Sequence, residues 1–145
     1  MIRIESACAA AMAMALSLAV QAQSNVGEVL DGGGKQLSRD ELSSLLPGAM
    51  LSGPTATGGE MTGEVKGDGG ITGTIRTIAG RSGGYFGKWS VNEAGQFCRD
   101  IKISIGTSNS TDSACSYYFK LADRYFAADT AERSAPVLAR NVVKK

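Results

Sequence analysis

From Met50 onward, apolar and polar residues alternate with a period of two, the spacing of strands with one buried face. In "MTGEVKG", Met61 and Val65 share one side, with Thr62, Glu64 and Lys66 on the other. "GDGG" (67–70) then signals a hairpin, because Asp-Gly accepts the positive φ angles of tight turns. "ITGTIRTIA" follows, with Ile71 and Ile75 on a common face, and "RSGG" breaks it. The next strand, "YFGKWSV", aligns Tyr85, Gly87, Trp89 and Val91. "NEAG" turns the chain into "QFCRDIKISI", where Ile101, Ile103 and Ile105 alternate with Lys102 and Ser104. "GTSNSTDS" (106–113) has no apolar face and is predicted as a polar loop. "CSYYFKL", "ADR" and "YFAA" predict a hairpin with Tyr117, Phe119 and Leu121 on the core side. "PVLARNVV" predicts a last strand, and Lys144-Lys145 a frayed end.

One stretch has helical rather than strand spacing. In "LSRDELSSLLPG", Ser38 and Glu41 have the positions of a capping box, Leu37 and Leu42 those of a hydrophobic staple. Leu42, Leu45 and Leu46 share a face, and Pro47-Gly48 stops the helix. The prediction is therefore a mainly β (α+β) domain over residues 37–143. It is a curved antiparallel β-meander or small open barrel of about five to seven strands, with one short N-terminal helix covering a face or an open end. Residues 23–36 are expected to be a flexible lead, because Asp31-Gly32-Gly33-Gly34 orders only at high entropic cost.

The first 22 residues change the setting. Arg3 precedes an Ala/Met/Leu/Val run from Ala7 to Val20, which ends in the small-x-small pattern Val20-Gln21-Ala22. This predicts a cleaved export signal and a periplasmic or secreted protein starting at Gln23, with no transmembrane segment after cleavage. Of three cysteines, Cys8 lies in that leader, leaving Cys98 and Cys115. Two cysteines in an oxidising compartment predict one disulfide. Strand parity complicates its placement. Cys98 faces away from Ile101, Ile103 and Ile105, while Arg99 shares their side. Either a bulge near Arg99-Asp100 brings the disulfide into the core, or the disulfide lies on the outer surface.

Composition narrows the chemistry. The formal net charge is +1, which gives no attraction for nucleic acid. The chain has no His, excluding Ser-His-Asp and Cys-His catalysis and Cys/His zinc sites. No metal site or cofactor is expected. Asp100, Asp112, Asp123 and Asp129 are scattered among turn-like stretches and read as solvated residues, although paired carboxylates are what a hydrolase would need. "GDGGITG" feeds a strand, not the helix N-terminus that a phosphate loop requires.

Gly87-Lys88-Trp89, Phe97-Cys98 and Cys115, with the preceding export signal and "LSRDEL…LLPG" helix, resemble uncharacterised small secreted or periplasmic proteobacterial proteins with a Gly-x-Trp…Cys pattern. The resemblance runs from Leu37 to Phe126. It implies a curved β-meander and an envelope setting, and no activity.

Trp89 is read as a core anchor. Phe86 and Tyr118 have the opposite parity to the presumed core and, with Arg81 and Lys88, make up the expected contact surface. The functional expectation is a non-enzymatic, monomeric exported module that binds an envelope protein, glycan or lipid. The alternative is an inhibitor of a secreted hydrolase that inserts "AGRSGG" (79–84) and "GTSNSTDS".

Overall fold

The computed structural model describes residues 22–145. The export signal predicted for residues 1–22 lies outside the described residues apart from its last position, Ala22. In chain order the elements are α1 (Val26–Asp31), β1 (Lys35–Gln36), α2 (Arg39–Leu45), β2 (Ala49–Pro54), β3 (Glu60–Val65), β4 (Gly70–Arg76), β5 (Ser82–Val91), β6 (Phe97–Ile105), β7 (Ser108–Leu121), β8 (Arg124–Ala128) and β9 (Leu138–Lys144).

Strands β2 to β9 pair antiparallel, each with its neighbour in sequence, and β9 returns to pair with β2. The result is a closed eight-stranded up-and-down barrel. β1 adds to it, pairing with the end of β7 through Lys35↔Lys120 and Gln36↔Phe119. The fold is mainly β, as the alternation predicts, but it has more strands than five to seven, and the barrel is closed. The strand that closes it is β2, which pairs with β3 on one side and β9 on the other. "AMLSGP" is short and ends in Gly53-Pro54, so its alternation carries little signal, although Ala49 and Leu51 are buried inside.

The turns 66–69 and 92–96 form where "GDGG" and "NEAG" predict them. "GTSNSTDS" is not a loop. Gly106 and Thr107 make the turn, and residues 108–113 pair with β6. This part of the wall is polar or exposed on both faces, so it lacks hydrophobic alternation.

Helix α2 has its capping box, with the Glu41 N–H donating to Ser38 Oγ at 3.1 Å and the Ser38 N–H to Glu41 Oε1 at 3.3 Å. At seven residues it is too short to persist alone. Leu42 and Leu46 are fully buried with Leu37 in the barrel core, beside Phe97, Val65 and Ile71. The helix closes the end of the barrel marked by the 92–96 turn, where Gly95 packs on the Ser38–Arg39 backbone.

The expected flexible lead is instead ordered. Asn25 caps α1 by accepting from the Glu28 N–H at 2.9 Å. Val26 and Val29 are fully buried against Phe119, Phe126, Ala128 and Val137 on the outside of the barrel wall. Arg133 fastens the helix end by donating to both Asp31 oxygens at 2.7 and 2.8 Å. The glycine run does break the helix, but two buried valines offset the cost of ordering what surrounds it. The tail is also held: Lys144 pairs with Ala49 and donates to the Pro47 carbonyl at 2.6 Å.

Cys98 and Cys115 form a disulfide, directly opposite each other on β6 and β7. No bulge interrupts β6, whose pairing with β5 and β7 runs unbroken from Phe97 to Ile105. The disulfide therefore lies on the outer face. Among the described residues, no helix is long and apolar enough to cross a membrane.

Candidate ligand-binding cavity

An eight-stranded barrel is just wide enough to be filled by side chains or to hold one small ligand. Here the filling is uneven. Leucines of α2, Phe97 and half-buried Trp89 occupy the closed end, where the Trp89 indole N–H donates to the Lys66 carbonyl at 2.7 Å. Toward the opposite mouth, near the Thr55–Thr57 turn, lies a cavity of about 670 Å³. Its wall is mostly apolar, with Leu51, Met61, Ile75, Ile101, Ile103 and Leu138.

Into this wall the strands bring a small polar set: Tyr85, Arg99, Asp112, Ser116, Tyr118 and Arg140. Inward parity on β6 carries Arg99 to the same side as Ile101 and Ile103. Parity on β7 carries Asp112, Ser116 and Tyr118. The Arg99 Nε–H donates to Asp112 Oδ2 at 2.8 Å, forming a half-buried ion pair. Arg140 comes from β9, opposite Tyr125. Its Nη1 donates to the Pro54 and Ala139 carbonyls at 2.8 and 2.9 Å. Gly53 leaves room for it, since a Cβ there would sit 3.0 Å from Nη1.

Tyr85 is placed by two absent side chains. Gly73 pairs with both Gly63 and Tyr85, and a Cβ at either glycine would strike the tyrosine's hydroxyl end. The ring thus lies across the inner face of β4 and β3. It is only 6% exposed, and its hydroxyl has no hydrogen-bond partner among the described residues. Leaving a buried hydroxyl unpaired costs about 1–3 kcal/mol.

Burial pushes the phenol pKa of Tyr118 up, with the Arg140 and Arg99 guanidiniums pulling it back. Burial likewise raises Tyr85, and the charge of an ionised Tyr118 adds to that shift. A raised folded-state pKa contributes stability that is intact below the ordinary tyrosine value of 10.0 and is lost as pH rises beyond it. Alkali should therefore unfold the barrel by ionising these phenols. Tyr118→Phe, which keeps the ring, is expected to move the alkaline midpoint seen by near-UV circular dichroism to higher pH. An unchanged midpoint would remove Tyr118 from that account.

The expected contact surface is not a single surface. Phe86 and Lys88 point outward from β5, with Phe86 56% exposed, and Arg81 is exposed in the turn before it. Tyr118 is 2% exposed and lies on the other side of the wall. With Tyr117, Phe119 and Leu121 buried, parity predicts Tyr118 exposed, but α1 covers the outer face that carries those three, so both faces of this part of β7 are buried. A groove of about 420 Å³ does run along the outer wall by Phe86, Lys102 and Asn109, but no buried polar group borders it. Asp112, expected to be solvated in a turn, is the inward partner of Arg99. Asp100 faces out and accepts from the Ser113 hydroxyl at 3.0 Å, so these two carboxylates are on opposite sides of the wall.

The inward set was partly visible in the sequence: Arg99 has the parity of the isoleucines. The inward facing of Asp112 follows from the β6–β7 hairpin, which is hidden when 106–113 is read as a loop. The approach of Arg140 depends on barrel closure, which no local pattern encodes. No protein-family model, curated protein or solved structure matches the chain.

Proposed function

We propose that this is an exported, non-enzymatic binding module that takes one small, largely apolar molecule into the barrel. The carrying observation is the cavity: about 670 Å³, apolar-walled, with a few convergent polar groups. That combination of volume and lining suits small-molecule sites, which measure roughly 300–1,000 Å³. The outward disulfide and the export signal read from residues 1–22 support an oxidising compartment. The Gly-x-Trp…Cys resemblance supports the same setting. An inhibitor reading draws less support, because its second inserting element is strand β7 and only Gly106-Thr107 turns at that end.

The test is a titration with the neutral, environment-sensitive dye N-phenyl-1-naphthylamine. Saturable binding at one dye per chain is expected. Met61→Trp, which fills the cavity from β3, should weaken binding by tenfold or more, on the order of 1.4 kcal/mol. Non-saturable binding, or binding indifferent to Met61→Trp in a folded variant, would sink the reading.

A further inference from the structure

We propose that the molecule held in the barrel ends in a carboxylate, which Arg140 and Arg99 receive while its apolar body lies against Met61, Ile75 and Ile103. This rests on the binding-module reading and specifies its ligand.

Three charged side chains border the cavity from the inner wall: Arg99, Asp112 and Arg140. Asp129 also borders it, but is exposed at the mouth. Asp112 neutralises Arg99. Arg140 has no carboxylate within ion-pair distance among the described residues; its Nη1 donates to two main-chain carbonyls, and its guanidinium also reaches the Tyr118 hydroxyl. A guanidinium has five N–H donors in a planar fork that matches a carboxylate, so Arg140 keeps a donor face for a ligand. Arg99 uses only Nε on Asp112 and also keeps donors. Both guanidiniums line the same cavity as Tyr118 and Tyr85, and both oppose the effect of burial on those phenols.

The inner wall thus carries one positive charge in excess, which a monoanion would balance. A cationic ligand would meet two guanidiniums. A neutral one would leave Arg140, part-exposed at the cavity wall, without a counter-charge.

Calorimetric titration of the oxidised, folded protein at pH 7.5 with decanoate, decan-1-ol and decylammonium tests this. Decanoate is expected to bind one per chain, about tenfold or more tighter than decanol, with decylammonium weakest. Arg140→Gln should reduce decanoate affinity by about 10–100-fold, the range of a charge-assisted hydrogen bond, and change decanol binding less than about threefold. Asp112→Asn should act in the opposite direction, tightening decanoate by releasing Arg99. Saturable dye binding shows that each variant still folds around its cavity. Equal affinities for decanoate and decanol, or decanoate binding unmoved by Arg140→Gln, would overturn the carboxylate assignment and leave the binding module standing. Dye binding with no binding of decanoate would do the same. Failure of the dye to bind the unaltered protein would overturn both.

Discussion

Leu46→Ala is expected to lower the unfolding free energy by about 2–5 kcal/mol, the range for truncating a buried leucine whose surroundings cannot collapse. Leu46 is fully buried at the end of α2 and packs with Leu37 and Leu42 among the side chains that fill the closed end of the barrel. The helix has little stability of its own, so the leucines hold it as much as the capping box does. The truncation leaves a void beneath a short helix spanning a ring of turns, and refilling it would require the whole end to shift. Ser43→Ala on the exposed side of the same helix should stay within about 0.5 kcal/mol. Denaturant unfolding of the two variants checks the contrast. A Leu46→Ala cost below about 1 kcal/mol would mean that α2 is a surface attachment and not the plug.

Replacing Cys98 and Cys115 together by alanine is expected to cost about 2–4 kcal/mol, mainly because the unfolded chain regains the freedom that the crosslink removes. The ligand site should be spared. The two cysteines sit opposite each other on the outer face, while their neighbours Phe97 and Ser116 point inward and stay paired by the β6–β7 ladder. The melting temperature should therefore fall while dye affinity changes by less than about threefold. Were binding lost in a variant that still unfolds cooperatively, the crosslink would be holding the cavity's shape as well as the fold.

These expectations draw on different amounts of sequence signal. The plug is legible: the Ser38/Glu41 capping box and three leucines at helical spacing define a short amphipathic helix, and a short helix in a β protein must cover something. The middle strands are equally legible, since Ile101, Ile103 and Ile105 alternate cleanly and their turns carry Gly and Asp. Closure is not. It depends on β2 pairing with β9, more than 80 positions away in the chain, through a segment whose Gly53-Pro54 ending masks its alternation. The parity conflict at Cys98 and Arg99 was the most informative local signal. Treating the cysteine as the core residue calls for a bulge. Taking the alternation at face value puts the arginine inside and the sulfur outside, as the structure has it. A charged residue sharing the parity of three isoleucines marks a polar group built into an apolar wall, which is how a binding cavity differs from a packed core. Tyr118 misleads for the converse reason. Its strand is covered on both faces, by the barrel core within and α1 without, so either parity looks like core.

The most direct test of a ligand site inside the barrel is nuclear magnetic resonance of the isotope-labelled protein during titration with N-phenyl-1-naphthylamine. The account predicts saturable shifts at side chains on the inner wall, Met61, Ile75, Ile103 and Tyr118, with outward-facing Phe86, Lys88 and Lys102 unmoved. Shifts gathered instead on Phe86, Lys102 and Asn109 would place binding in the outer groove and contradict the claim that the barrel interior is the site.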